Sequence, residues 1–223
     1  MRIFPTWCYI CHRYIVSSSE STNRYLCRSC YHILPFQSKD VCGRCGQTHD
    51  SSICTSAWAK DIVSFHAIFK HEVPVNQWIS GLKYSQNLIA GNILTLFVND
   101  WLLQQYQHFE DVDFAIPIPL HSIRLRARGF NQSAFLLRKQ RFFPVDTKII
   151  RRVRNTPRQA GLSKRDRHQN LNNAFRSSGL EKGKTVLLFD DVCTSGQTLC
   201  EATRTLLRGG VGKVCVLVVS RAR

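Results

Sequence analysis

The chain has 223 residues and 43% of them are hydrophobic, so it can form one substantial core plus a small module and is too apolar for a disordered protein. No apolar run reaches the roughly 20 residues of a membrane-spanning helix, and the first residues lack the apolar core of a signal peptide, so a cytoplasmic protein without a membrane span is expected. The net charge is +16, which favours phosphate-bearing partners, whether a small ligand or a nucleic acid.

The first predicted element is a zinc ribbon, since seven of the ten cysteines precede residue 55. Two C-x2-C pairs separated by 15 residues have the spacing that places four thiolates around one Zn²⁺, and they are Cys8, Cys11, Cys27 and Cys30. Disulfides are the alternative, but they need an oxidising compartment, which the missing signal peptide argues against.

A second metal site is indicated by a further pair, Cys42 and Cys45, followed by Cys54. The residue that would complete a four-cysteine set is Ala57, so the cysteine set is incomplete; a histidine could supply the fourth ligand, and sharing of cysteine pairs between the two sites is the alternative. The candidates are His49, which lies between Cys45 and Cys54, and more distantly His66 and His71. We expect residues 1–57 to form a cysteine-rich zinc-binding module and residues 58–223 to form a second domain.

Short apolar segments alternate with helical patterns through the next part of the chain. Strands are predicted between Trp58 and Lys70 and over Val112–Pro119, and helices over Val75–Tyr84, Leu88–Tyr106 and Ser133–Leu137. A strand or helix is predicted over Lys148–Val153, and a final buried strand over Val211–Ser220. This alternation predicts an α/β fold with a parallel sheet flanked by helices.

Two basic segments lie between these elements. The stretch 120–176 carries fifteen basic residues against two acidic ones, a net charge of +13, with a solvated surface as the alternative to phosphate binding. The loop predicted after Pro119 contains Arg124, Arg126 and Arg128, which could meet a pyrophosphate. The polar loop predicted over Thr156–Asn173 contains Arg158, Lys164 and Arg165, which could close over a site at the sheet edge.

The segment from Val186 to Thr198 combines a buried strand, two acids and a small loop that opens a helix. Ligands of open α/β sheets bind at the carboxyl ends of strands, where Asp190 and Asp191 are expected. Carboxylates accept hydrogen bonds from sugar hydroxyls, and a helix N-terminus attracts phosphate. The loop residues are Thr194, Ser195, Gly196, Gln197 and Thr198. An ordinary buried strand followed by a capped helix is the alternative.

The same segment resembles the phosphoribosyl pyrophosphate (PRPP) motif of type I phosphoribosyltransferases, with four apolar residues, two acids, one apolar residue and a loop ending in Gly-x-Thr. The resemblance implies that Asp190 and Asp191 hold the ribose hydroxyls and act in catalysis. It also implies that residues 194–198 cradle the 5′-phosphate and that PRPP binds with Mg²⁺. Ser195 stands where many members have threonine.

Several further motifs resemble the ComF family of bacterial competence proteins over nearly the whole chain. They are the cysteine-rich start, Arg126-Ala-Arg-Gly-Phe-Asn-Gln132, Thr156-Pro-Arg-Gln159, Leu162-Ser-Lys-Arg-Asp-Arg167, Asn173-Ala-Phe175 and the Asp190 segment. The resemblance implies a type I phosphoribosyltransferase-like domain behind a zinc ribbon. It also implies a role in natural transformation, where incoming single-stranded DNA is handled at the cytoplasmic face of the inner membrane.

Two functions remain open at this point. The first is a phosphoribosyltransferase, a glycosyltransferase that would displace pyrophosphate from ribose C1 and whose acceptor no residue identifies. The second is a non-catalytic module that binds single-stranded DNA or a DNA-translocating helicase, in which PRPP is regulatory or the pocket is vestigial. Aromatic residues among the cysteine pairs could stack on bases, although packing in a small core is the alternative role for them. They are Trp7, Tyr9, Tyr14, Tyr25 and Tyr31.

Overall fold

The N-terminal part of the chain consists of short hairpins and one short helix around the cysteines. The computed structural model describes residues 6–15, 21–23, 25–50, 53–155, 173–179 and 182–222. Strand β1 (Thr6–Trp7) pairs antiparallel with β2 (Tyr14–Ile15), and β3 (Ser21–Asn23) pairs antiparallel with β4 (Leu26–Cys27), which leads into helix α1 (Arg28–His32). Each C-x2-C pair of the first cluster therefore lies in or beside a tight turn.

A parallel sheet forms the centre of the remaining chain. The strands are β5 (Ser64–Lys70), β6 (Phe114–Pro117), β7 (Ile150–Arg152), β8 (Phe175–Ser177), β9 (Thr185–Cys193) and β10 (Lys213–Arg221). The order in the main sheet is β5-β10-β9-β6 with all neighbours parallel, and β7 and β8 form a separate antiparallel pair. All four carboxyl ends of the main sheet therefore meet at one edge.

Helices cover both faces of the sheet. They are α2 (Val75–Tyr84), α3 (Leu88–Gln105), α4 (Ser122–Arg128), α5 (Gln132–Leu137) and α6 (Gln197–Arg208). Asn87 caps α3 by accepting from the Ala90 N–H, and Asn131 caps α5 by accepting from the N–H groups of the next turn. Gly129 ends α4 in the left-handed region that favours glycine. Among the described residues no helix is long and apolar enough to cross a membrane.

The sheet separates two hydrophobic clusters, because successive side chains of a strand point to opposite faces. Along β10, Leu217 and Val219 lie in the cluster that contains α2, α3 and α5, whereas Val216 and Val218 lie in the cluster that contains α6. The N-terminal segment contributes to both clusters. Cys8 and Cys30 belong to the first with Leu26 and Leu34, and Cys45 belongs to the second with Trp58 and Phe65.

The predicted α/β architecture with a parallel sheet flanked by helices is confirmed, and helix α2 has the predicted bounds. The prediction of a loop after Pro119 is wrong over Ser122–Arg128, which form α4. No residue of this helix is buried, so the sequence carries no apolar stripe that would indicate a helix here. Asp190 and Asp191 were expected at the end of their strand, but β9 continues to Cys193. The short strand β8 was not predicted.

Candidate functional site

A cleft of about 640 Å³ lies at the carboxyl edge of the parallel sheet. His71 follows β5, Ile118 follows β6, and Asp190, Asp191 and Thr194 come from the end of β9 and the loop behind it. The strands thus deliver residues from distant parts of the chain to one place, as open α/β sheets do for their ligands. The cleft is large enough for a phosphorylated sugar.

Asp190 is buried at the floor of the cleft and is held by two donors. Its Oδ1 accepts from the Ser133 hydroxyl at 2.9 Å and from the Asp191 N–H at 2.9 Å. Burial and the neighbouring charge of Asp191 raise the pKa of Asp190 to about 7, against the opposing effects of Lys83 and of the two donors. Asp190 therefore changes charge near neutral pH, a property common in functional sites.

Asp191 forms an ion pair with Lys83 of α2, whose ammonium lies 2.8 Å from Asp191 Oδ2. The carboxylate is 3% exposed and the lysine side chain 18% exposed. Oδ2 is buried and accepts no hydrogen bond of good geometry within the described part of the chain, so its contact with Lys83 is ionic. A carboxylate that borders the cleft suits a sugar hydroxyl or Mg²⁺, which usually binds one or two carboxylates together with ligand phosphates.

The loop between β9 and α6 borders the cleft through Thr194, and the first turn of α6 borders it through Thr198. Gly196 is in the left-handed region with φ +75°, and a Cβ on it would lie 2.2 Å from the indole of Trp58. The need for glycine at this position therefore comes from Trp58 packing as well as from backbone conformation. Ser195 and Gln197 lie in the same loop and at the first residue of α6, outside the set of residues that line the cleft.

Two of the three predicted arginines of the α4 segment line the cleft. Arg124 and Arg128 border it, whereas Arg126 is exposed and lies outside it. Arg128 donates to Gln132 and lies 5.7 Å above the Tyr84 ring. Arg152 of β7 adds a further cation, and burial together with the charge of Arg124 lowers its pKa. The predicted loop cations Arg158, Lys164 and Arg165 lie outside the described residues.

Sequence reasoning missed several residues of the cleft, because the signal for each is its place in the fold. Lys83 and His71 come from the α2 region, and burial and the Lys83 charge lower the pKa of His71. Ser133 reaches Asp190 because Asn131 caps α5 and also donates to the Ile118 carbonyl at 3.0 Å. For Ser133 the sequence offers one signal, the motif Arg126–Gln132, because its glycine and asparagine build the turn between α4 and α5.

The first cysteine cluster brings together the four predicted sulfurs. The Sγ atoms of Cys8, Cys11, Cys27 and Cys30 all lie within 4.8 Å of one another. The Cys11 and Cys27 sulfurs are 3.8 Å apart, which matches the edge of a tetrahedron of four sulfurs around zinc with bonds of about 2.3 Å. Burial opposes ionisation of Cys8, but N–H donors of three neighbouring residues outweigh it and lower its pKa to about 6.

The second cluster consists of Cys42, Cys45, Cys54 and His49, whose donor atoms also lie within 4.8 Å of one another. His49 Nε2 is 3.0 Å from the Cys45 sulfur, so the predicted fourth ligand is in position. The alternatives are wrong: His66 packs against Trp101 and Phe109, and His71 lines the cleft. All ten cysteines are described and none forms a disulfide. Both donor sets fit Zn²⁺.

Comparison with known proteins finds a matching domain family and several related chains. Residues 128–223 match the model of the phosphoribosyl transferase domain. The chain is 30% identical to competence protein F of Haemophilus influenzae, with 88% of this chain and 90% of the relative covered. It is 31% identical to DNA utilization protein YhgH of Escherichia coli O157:H7, with 96% and 89% covered. Identity to competence protein ComFC of Streptococcus pneumoniae is 26%, with 85% and 84% covered.

Proposed function

Because the chain belongs to the ComF family of competence and DNA utilization proteins, we propose that it binds PRPP with Mg²⁺ in natural transformation, at the step that handles incoming single-stranded DNA. The observation that supports PRPP as the ligand is the cleft itself, which has two buried carboxylates on its floor and arginines on its wall. The place of action is the cytoplasm, at the inner membrane through partners such as a DNA-translocating helicase.

Each group of the cleft suits one part of PRPP. Asp190 and Asp191 would accept hydrogen bonds from the ribose hydroxyls, while the 194–198 loop and the N-terminus of α6 would hold the 5′-phosphate. Arg124, Arg128 and Arg152 would meet the pyrophosphate, whose negative charge their guanidinium groups complement. Mg²⁺ would be held by Asp190 or Asp191 together with ligand oxygens and would neutralise part of the pyrophosphate charge. If the protein turns PRPP over, catalysis rests on positioning and charge stabilisation.

The N-terminal residues 1–57 would act as a zinc-binding module that holds two ions. Two donor sets support this proposal: the four sulfurs of the first cluster, and the three sulfurs and one imidazole of the second. Residues 58–223 would form the phosphoribosyltransferase-like domain. Cys8, Cys30 and Cys45 are buried in the two hydrophobic clusters that flank the sheet, so loss of metal is expected to disturb the second domain as well.

The ligand proposal is tested by calorimetry with PRPP and Mg²⁺ on a double variant, Asp190→Asn with Asp191→Asn. We expect binding to be lost, because neutral amides no longer offer four carboxylate acceptors to the sugar. Asp113→Asn is the matched control, because Asp113 pairs with Lys184 beside the opposite edge of the sheet. Undiminished PRPP binding by the double variant would contradict the proposal.

A non-catalytic role in binding single-stranded DNA is the second candidate, and one observation favours it. Trp7 is 62% exposed and Tyr14 is 47% exposed, and their rings meet edge to face at 5.6 Å on the β1–β2 hairpin. Exposed aromatic rings near positive charge are the elements on which single-stranded nucleic acids stack. By contrast, Tyr9 and Tyr31 pack against the hydrophobic core, which supports the core role for them.

Two measurements separate the candidates. Binding of an oligonucleotide should weaken steeply as salt rises if phosphates are contacted, and a salt-independent affinity would contradict DNA binding. Transformation frequency of the double aspartate variant decides whether PRPP matters to the cell. A normal frequency, with PRPP binding lost in the same variant, would refute an enzymatic role and leave the DNA-binding candidate.

A further inference from the structure

A buried arginine joins the second cysteine cluster to the loop that precedes α6. Arg221 is the last residue of β10 and is 5% exposed. Its guanidinium donates to the carbonyl oxygens of Cys45 at 3.1 Å, Cys193 at 3.0 Å and Ala222 at 2.7 Å, and also to that of Thr194. One side chain therefore contacts both the backbone of a metal-site residue and the backbone of the proposed phosphate loop.

These hydrogen bonds set the direction of two successive peptide groups. In a trans peptide the C=O and N–H bonds point in opposite directions. Arg221 holds the Thr194 carbonyl and shares the Cys193 carbonyl with the Ala222 N–H, so the N–H groups of residues 194 and 195 are directed away from Arg221. Successive N–H groups that point the same way form the concave arrangement that binds anions. Arg221 thus orients the donors that a phosphate would need.

Aromatic contacts also connect the second cysteine cluster to the loop that precedes α6. The Trp58 indole occupies the space next to Gly196 in the loop, and its ring meets that of Phe65 at 5.7 Å. The Phe65 ring in turn occupies the space next to Gly46, where a Cβ would lie 2.4 Å from it. Gly46 directly follows Cys45, so a shift of the cluster backbone is transmitted by packing as well as through Arg221.

Charge also links the second cysteine cluster to Arg221. Arg221 makes no ion pair with a carboxylate among the described residues, although it is buried. A divalent ion with three thiolates and one neutral imidazole carries a net charge of about −1. A filled second cluster therefore supplies a negative charge that no carboxylate of the described residues supplies to this guanidinium, and it favours the position in which Arg221 bonds to Cys45.

We propose that Arg221 is a positioning residue that couples metal binding at Cys42, Cys45, His49 and Cys54 to phosphate binding at residues 194–198. This inference rests on the proposed function of that loop. Coupling between two sites is reciprocal, so a bound phosphate ester raises the metal affinity of the cluster by the same factor by which the metal raises affinity for the phosphate. The first cluster, on the other face of the sheet, lacks this connection in the described structure.

The experiment uses Co²⁺, which binds tetrahedral zinc sites and gives visible bands that differ between a site of four sulfurs and a site of three sulfurs and one nitrogen. The full-length protein is titrated with Co²⁺ with and without saturating ribose 5-phosphate. We expect the ligand to raise Co²⁺ affinity at the second cluster, which holds the nitrogen ligand, by at least about fivefold and by more than at the four-cysteine cluster. The reciprocal titration, ribose 5-phosphate into metal-free and metal-filled protein, should give the same factor.

Arg221→Lys keeps the charge and loses the fork of donors, so it should bring the coupling factor close to one. Arg204→Lys is the control, because Arg204 lies on α6 but pairs with Asp61 at 3.5 Å near the surface, and it should keep the full factor. Wild-type protein that binds ribose 5-phosphate with no change in Co²⁺ affinity overturns the inference, whether or not the variant folds. So does a full coupling factor in Arg221→Lys. Failure of the wild type to bind either PRPP or ribose 5-phosphate overturns the proposed function together with the inference.

Discussion

The ion pair between Lys83 and Asp191 makes the sharpest prediction about stability. Replacing Lys83 by methionine keeps most of the unbranched side chain and removes the ammonium. Asp191, which is 3% exposed, would then lie beside Asp190 without its counter-charge. Removing Asp191 instead relieves the repulsion between the two carboxylates and leaves a lysine that can reach water. The two single substitutions should therefore have unequal effects.

The magnitude follows from the burial of the two partners. Removing one partner of a buried ion pair costs about 3–5 kcal/mol, and the 18% exposure of Lys83 places the cost of Lys83→Met near the lower end, at about 3 kcal/mol. For a chain of this length each kcal/mol lowers Tm by about 2–4 °C, so a decrease of about 6–12 °C is expected. Lys184→Met is the matched control: both partners of the Lys184–Asp113 pair are about one-third exposed, so its loss should change Tm far less.

Thermal unfolding of the single variants and of Lys83→Met with Asp191→Asn measures the coupling. The double variant should recover most of the loss, because neither charge remains unpaired. The pKa of Asp190 is raised above its ordinary value, so its ionisation destabilises the fold as pH rises from about 4 to about 7. The charge of Lys83 stabilises ionised Asp190 and so limits the rise of its pKa. The stability cost of Lys83→Met should therefore be smaller at about pH 5.5, where Asp190 is mostly protonated, than at about pH 7.5. An unchanged Tm in Lys83→Met, or a double variant no more stable than Lys83→Met, would refute this reasoning.

Three further predictions concern the cleft, the metal and the loop. Affinity for ribose 5-phosphate should rise between about pH 6 and about pH 8 as Asp190 ionises, and calorimetry on Asp190→Asn should retain only the titration of the ligand phosphate itself. Chelation of both metals should unfold residues up to about 55, and Cys27→Ser should unfold the segment around the first cluster, because structural zinc contributes about 10–16 kcal/mol; limited proteolysis checks this, and purified protein without zinc would contradict it. Gly196→Ala should destabilise the fold by about 1–3 kcal/mol more than Gly129→Ala, as measured by chemical denaturation. Both glycines have positive φ, but only Gly196 would bring a Cβ against Trp58, so equal losses would refute the steric argument.

The parallel sheet and its main helices could be predicted because their signals are local. The apolar run at Val186 and the helical pattern of Val75–Tyr84 both appear as expected elements. On the next predicted helix, Leu88, Ile89 and Leu103 are exposed, so its apolar residues do not form one buried stripe. Helix α3 is buried on several sides, and Gly91 lets Leu82 and Phe135 approach its backbone. Packing on more than one side weakens the periodicity on which such predictions depend.

The predicted part of the site lies in one continuous segment, and the missed part lies in several. Asp190, Asp191 and the loop behind them could be found because strand, acids and small residues follow one another in sequence. Lys83 and Ser133 become site residues only through the folding of α2 and α5 onto the ends of β5 and β9. A lone lysine on a helix has no distinguishing pattern, and for Ser133 the sequence offers only the preceding glycine and asparagine that build its turn.

The positions of the cysteine clusters link the N-terminal segment to the two ends of the proposed ligand. The first cluster packs toward α2, where Tyr9 meets Trp78 at 6.2 Å and its hydroxyl accepts from Asn87 at 2.7 Å. Helix α2 also carries Lys83, which pairs with the carboxylate proposed to hold the sugar. The second cluster reaches the proposed phosphate loop through Arg221. Loss of the first metal should therefore weaken recognition of the sugar through displacement of α2, whereas loss of the second should weaken recognition of the phosphate. Comparing ribose 5-phosphate with inorganic phosphate as ligands for each cluster variant separates the two effects, and equal losses for both ligands in both variants would show that the metals act only through global stability.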